Sequence, residues 1–296
     1  DWNDRIADGW NRHAADAAGV LDSLAAALSE PPPSTSAIPL GALITHVSGE
    51  HLGRWADGEA LLERVRAGVQ PGSAEDRALW RNVASLRRCA QDDAGAEAAV
   101  SQAIGDASPE ASHRARVEAV AAAAMVGQGD LPRATDGYRR ACALGAELPD
   151  ADPAIRALAV TSNNLAQALE EGPRNPERDG LLRQAAANSR RFWEKAGTWM
   201  NVERAEYRLA MTHLVLGEPA TALRHAQACL DTILANQGDG LERLFGWEAV
   251  ARARLALGET EAARAALVEA EAALGDVMPD MRDYCAGELA KVRAQL

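Results

Sequence analysis

The sequence predicts an all-α solenoid of about six helical hairpins, and three observations lead there. Hydrophobic residues make up 47% of the 296 positions but aromatics only 4%, so the core must be built mainly from Ala and Leu. Such a composition suits closely packed helices, because Ala is the best helix former and its small side chain lets backbones approach. Sheets draw on β-branched and aromatic residues, which are scarce here. Third, a turn residue followed by one fixed pattern of small and large residues recurs along the chain, the mark of a repeat architecture.

The recurring pattern is clearest in three segments. Gly129-Asp130 is followed by Ala134, Tyr138 and Ala141; Gly53-Arg54-Trp55 by Gly58, Leu62 and Val65; and Gly258-Glu259 by Ala263, Leu267 and Ala270. Each shows a small residue after the turn, then a large apolar one, then a small or medium one. The half before the turn repeats as well. Trp80 precedes the turn at Gln91 and Trp247 the turn at Gly258, with small residues four later at Ala84 and Ala251. The equivalents before Gly129 and Gly217 are Ala122 and Ala210. Turns at Gly53, Gln91, Gly129, near Pro173, Gly217 and Gly258 are spaced by 38, 38, 44, 44 and 41 residues.

Taken in order, an N-terminal helix is predicted from about Trp2 to Leu28. Pro31-Pro32-Pro33-Ser34-Thr35-Ser36 breaks it, since consecutive prolines donate no backbone hydrogen bonds and favour an extended chain. This divides the sequence into an N-terminal helix (1–30), a Pro-rich linker (31–36) and one continuous array with its cap (37–296). The first (A) helices of the hairpins are expected near 38–52, 75–90, 110–127, 152–171, 200–216 and 241–257. The second (B) helices are expected near 54–68, 92–105, 130–145, 177–196, 219–235 and 259–274. Asp130 with Pro132, Asp152-Pro153 and Glu218-Pro219 mark helix starts. Gly172-Pro173-Arg174-Asn175-Pro176 makes the fourth hairpin irregular, and the aromatic cluster from Phe192 to Met200 is expected to fill the gap this leaves. A last helix, about Pro279 to Leu296, would cap the array.

These spacings resemble the tetratricopeptide repeat: a large residue opening the A helix, a small one where the two helices approach, a turn, and small, large and small residues on the B helix. The family standard is about 34 residues, so these are long repeats. They are similar to those in the sensor domains of large bacterial transcriptional regulators and of peptide-responsive regulators. The resemblance implies a right-handed superhelix whose A helices line a concave groove. Carried over position by position, that groove would hold Arg81, Ser85 and Arg88, then Arg116, then Asn163, Asn164 and Gln167. It would continue with Arg204, Tyr207, Arg208 and Met211, then Phe245, Glu248 and Arg252, with Leu40, Leu43, Ile44 and Val47 at the same positions of the first hairpin. Six arginines on one groove imply an acidic peptide or small anion as partner, since the guanidinium fork matches a carboxylate. Asn163 and Asn164 would bond a peptide backbone. The competing reading pairs those arginines with neighbouring Glu and Asp. The two-Lys, two-Asn carboxylate clamp of chaperone-docking arrays is absent, because Lys195 and Lys291 are the only lysines.

A net charge of −12 argues against nucleic-acid binding, and no apolar run approaches the roughly 18 residues of a membrane span. The chain opens on Asp1 without a signal peptide and is expected to be a cytoplasmic protein or a piece of a larger one. Cys89, Cys142, Cys229 and Cys285 are far apart and are expected to be reduced, buried thiols. The six histidines show no HExxH and no pair four apart. His46 and His51 lie five apart, about 140° from each other around an α-helix. His213 and His225 could face each other across the fifth hairpin, but without a carboxylate-rich set around them. Neither a nucleophile elbow nor a phosphate loop is present. The expectation is a non-catalytic, protein- or peptide-binding scaffold without metal or cofactor. The alternatives are a ligand- or peptide-sensing module of a larger bacterial regulator, or an enzyme whose site leaves no local motif.

Overall fold

The computed structural model describes residues 1–29, 31–105 and 108–296, and among these there is no strand. The chain divides into two compact units, residues 1–161 and 162–296. The first contains α1 (Trp2–Arg12), α2 (Ala17–Ala27), α3 (Ser34–Thr45), a π-helical turn (His46–His51), α4 (Trp55–Arg66), α5 (Ala74–Cys89), α6 (Asp93–Ala103), α7 (Glu110–Gly127) and α8 (Leu131–Ala146). The division falls inside α9 (Pro153–Glu170). The second unit continues with α10 (Pro176–Ala196), α11 (Trp199–Val215), α12 (Pro219–Ala235), α13 (Gly240–Ala256), α14 (Thr260–Ala273) and α15 (Arg282–Arg293).

The hairpin turns form where the sequence places them, for a backbone reason. Gly53, Gln91, Gly129, Gly217 and Gly258 take φ of 62°, 64°, 79°, 71° and 77°, the left-handed conformation that ends helices. The residue after the turn then donates back to the carbonyl five earlier: Asp92 to Arg87 at 3.0 Å, Asp130 to Met125 at 2.9 Å, Glu218 to His213 at 2.8 Å and Glu259 to Arg254 at 3.0 Å. After the π turn the count is one longer, with Arg54 N–H bonding Ser48 O at 2.7 Å. One extra residue has been wound into the end of the first A helix.

Within the first unit the A helices α3, α5 and α7 stack in order, each paired with its B helix. The small positions are the contact points: Ala84, Ala122 and Ala134 are fully buried, as are the large residues Leu62 and Tyr138. Gly58 lies so close to the π turn that a Cβ there would sit 2.1 Å from Ser48 Oγ, and one at Gly127 would sit 2.2 Å from Glu50 O. Two neighbouring helices thus pin the π turn at residues with no side chain.

The single N-terminal helix expected over Trp2–Leu28 is two helices. Asp16 caps α2 by accepting from Gly19 N at 3.0 Å, and Arg12 bridges Asp8 and Asp16. The pair folds back over α3, so that Ile6, Val20, Leu21 and Leu24 share one core with Leu40, Leu43, Ile44 and Val47. These last four are fully buried; the first hairpin's expected groove positions are core, because α1 and α2 cover them. Of the expected linker, Ser34, Thr35 and Ser36 already belong to α3.

In the second unit α11 packs on α12 and α13, and α13 on α14 and α15. Ala210, Ala251 and Ala263 are fully buried, and Leu267 nearly so. Phe192 is fully buried and Trp193 nearly so, as expected of filler beside the irregular fourth hairpin. Helix α15 closes the stack with Cys285, Leu289 and Val292 in the core. All four cysteines are free and buried. Among the described residues no helix is long and apolar enough to cross a membrane.

Candidate binding surfaces

In the first unit the three arginines expected on the A-helix face are engaged within the protein. Arg88 on α5 reaches Asp93 at 2.6 Å and Glu97 at 2.8 Å on α6, and Glu118 at 3.2 Å on α7. Arg81 Nη1 lies 3.3 Å from Nδ1 of the fully buried His113. Arg116 donates to the carbonyl and hydroxyl of Ser112, one turn back on its own helix. Of the three, Arg88 is paired with carboxylates, while Arg81 meets a ring nitrogen and Arg116 a carbonyl and a hydroxyl.

The second unit differs in holding an aromatic cleft. Tyr207 on α11, Phe245 on α13 and Tyr284 on α15 line a cleft of about 350 Å³, together with Leu241, Glu203, Arg204 and Glu242. Tyr207 meets Phe245 edge to face at 5.9 Å, and Phe245 meets Tyr284 at 6.4 Å. The Tyr207 hydroxyl donates to Glu248 Oε2 at 3.1 Å. Glu248 is itself fully buried and paired with Arg252, which also approaches Glu288 at 3.6 Å. Arg204 lies over the rim with 61% of its side chain exposed, 2.6 Å from Glu242 and 3.5 Å from Glu203.

Burial sets the chemistry of this cleft. Glu203 is 3% exposed. Desolvation, reinforced by the neighbouring Glu242 charge, pushes its carboxyl up to about 7. The Cys229 thiol donates to it at 3.4 Å and is itself pushed up by burial. The Tyr207 hydroxyl moves the same way, for the same reason and by the Glu248 charge. The thiol and the phenol are thus held in their protonated, unreactive forms.

Of the remaining expected site residues, Arg208 is engaged within the protein. It pairs with Glu170 at 2.7 Å and donates to Gln167 at 3.2 Å, and only 17% of its side chain is exposed. Asn163 Nδ2 reaches Asn164 Oδ1 at 3.4 Å, and Asn164 and Gln167 are exposed. Sequence reasoning missed Tyr284, Glu203 and Glu242. Tyr284 belongs to a helix read only as a cap, and nothing in the residue pattern shows that it turns toward α13.

The histidines also depart from expectation. His213 and His225 stack with ring planes 4° apart, and carboxylates do accompany them: Glu218 and Glu206 each sit 2.7 Å from a ring Nδ1. His46 and His51 are not on opposite faces. The π turn closes bonds between residues five apart, as from Leu52 N to Val47 O at 3.2 Å, which returns such residues to one side. Although His51 is exposed overall, partial desolvation of its ring by the packed neighbours, together with His46, holds it below the ordinary histidine range.

No family model matches the chain, and no curated protein matches it. Among solved structures it is similar to the nearly identical TPR-like repeats of a Podosopora anserina protein described as a kinesin light chain. The identity there is 16%, the TM-score 0.46, and the coverage 76% of this chain and 96% of that one. A point variant of that protein gives the same identity and TM-score over 75% and 94%. The P58(IPK) TPR domain aligns over 100% of this chain and 98% of its own, at 13% identity and TM-score 0.25. What bears on the repeat is its packing: Ala84, Ala122, Ala210 and Ala251 buried where the hairpin helices approach, left-handed turns between them, and A helices stacked on A helices within each unit. The repeat is tetratricopeptide-like.

Proposed function

We propose that this chain is a non-catalytic peptide- or protein-binding repeat module, and that the cleft of the second unit takes an apolar or aromatic anchor residue of its partner. The observation that carries this reading is the exposed aromatic wall: Tyr284 is 57% exposed and faces Phe245 and Tyr207 across an open cleft. Aromatic pockets with a polar rim are where binding energy concentrates in interfaces. The acidic peptide suggested by the arginine count loses its basis, because Arg88, Arg208 and Arg252 already serve internal carboxylates. Arg204 alone lies at the rim, with a guanidinium able to reach a partner's carbonyl. The protonated thiol and phenol support binding over catalysis.

The test is selection of peptides from a random library on the purified chain, followed by affinity measurement. Peptides sharing an apolar or aromatic anchor are expected, and Tyr284→Ala should weaken them at least about tenfold, a loss of about 1.4 kcal/mol. Because Tyr284 is largely exposed, the variant keeps its fold. Enrichment of acidic peptides indifferent to Tyr284→Ala would overturn the assignment. A small metabolite that binds the cleft where no peptide does would instead favour a sensing module.

A further inference from the structure

We propose that His13, His46 and His51 form a binding site for one divalent transition-metal ion, with zinc the ion of choice. His13 follows the last residue of α1 as its C-cap, and His46 and His51 are the two ends of the π turn, all in the first unit. One nitrogen from each lies within 4.8 Å of the others. His46 Nε2 and His51 Nε2 are 3.1 Å apart, and the rings of all three approach with centroids 4.8 to 5.0 Å apart. A tetrahedral zinc with Zn–N bonds near 2.0–2.1 Å separates two imidazole nitrogens by about 3.3 Å. One pair is therefore already at ligand spacing. The widest possible separation closes by about 1.5 Å, within reach of a side-chain rotation.

The surroundings of the rings argue for ligation more specifically than their proximity does. His46 Nδ1 sits 3.0 Å from Glu50 Oε2, and His13 Nδ1 sits 2.6 Å from the carbonyl of Trp10. A carboxylate and a carbonyl can only accept, so both rings carry a proton on Nδ1, which leaves Nε2 of each as the ligating atom, and that of His46 already faces His51. Metal-binding histidines are oriented in this way, by an outer carboxylate or backbone oxygen. With His46 Nε2 as acceptor, His51 donates from its own Nε2 in the absence of metal. Ligation needs only that this proton move to His51 Nδ1, with no net release. Trp10 walls one side, its ring 5.1 Å from that of His46. His51 is exposed, which leaves a fourth position open to water. An all-imidazole set suits zinc and its neighbours and disfavours calcium or magnesium, which want oxygen ligands. An ion held here ties α1 to the end of the first A helix.

The experiment uses the full chain without a polyhistidine tag, stripped with chelator and titrated with Zn2+ by calorimetry and with Co2+ by visible absorption. One ion per chain is expected, with a tetrahedral Co2+ spectrum and a raised unfolding temperature. His51→Ala and His13→Ala should each weaken binding about 100-fold or more, and Glu50→Gln about tenfold. His51 is exposed, so its removal leaves the fold intact, and circular dichroism checks this. Paired His213→Ala and His225→Ala substitutions should leave Zn2+ and Co2+ binding unchanged. Failure to bind either ion at millimolar concentration overturns the proposal, and so does stoichiometric binding that survives His51→Ala.

Discussion

At the scale of single residues, the second unit keeps several carboxylates out of water, and Glu203 shows the consequence best. Its folded-state value of about 7 lies above the ordinary 4.5, so folding favours its protonated form. The resulting stabilisation is complete below pH 4.5, declines as pH rises, and is lost once pH has passed through about 7. Burial pushes Glu170, Glu242 and Glu248 in the same direction. Glu206 goes the other way, because His225 and Arg190 together outweigh its burial. The Glu203 contribution to the denaturant midpoint should therefore fall between about pH 4.5 and 7. Glu203→Gln, neutral at every pH, should flatten that fall by roughly 2–3 kcal/mol. Parallel pH profiles for the two proteins would show that Glu203 is not the group responsible.

Among the elements, the π turn governs most. It is held by contact rather than by propensity: Gly58 and Gly127 bring α4 and α7 against it, and Gln128 Nε2 satisfies the Glu50 carbonyl at 2.8 Å. Replacing a helical Gly by Ala ordinarily stabilises by up to about 1 kcal/mol. At Gly127 the sign should reverse, because the new methyl would lie 2.2 Å from a backbone oxygen that cannot yield. Gly127→Ala is expected to cost about 1–3 kcal/mol by overpacking and to disturb the histidine cluster, seen in chemical denaturation and in the imidazole resonances. Stability at or above that of the parent would show that the contact relaxes freely. The same methyl-for-hydrogen change at Gly275, which has open space around it, is the control.

Across the molecule, the acidic balance of −12 coexists with arginines committed to internal partners. Several join successive repeats within a unit: Arg87 to Glu59, Arg88 to Glu118, Arg208 to Glu170 and Arg204 to Glu242. Pairs of this kind differ with depth. Arg208 and Glu170 are both largely buried, so Arg208→Ala strands a desolvated carboxylate and should destabilise by about 3 kcal/mol. Arg204 is mostly exposed but its partners Glu242 and Glu203 are buried, so Arg204→Gln should alter peptide affinity and also destabilise, by less than Arg208→Ala because solvent screens the guanidinium. An unfolding free energy unchanged in Arg208→Ala would mean that the pair is solvated.

The sequence by itself determined the helical class, the turns and the small contact residues. These are local facts: Ala84, Ala122, Ala134 and Ala263 sit at fixed distances from a turn residue whose backbone conformation the sequence dictates. Tyr207 and Phe245 were legible as face residues for the same reason. Tertiary structure alone decided what those faces do. Whether Arg88 or Arg208 meets a ligand or a neighbour's carboxylate depends on helices 9 to 38 residues away in the sequence. Tyr284 joins the cleft only through the packing of α15. His46 and His51 share a side only because one extra residue is wound into a turn, and an α-helical period applied to the sequence cannot contain it.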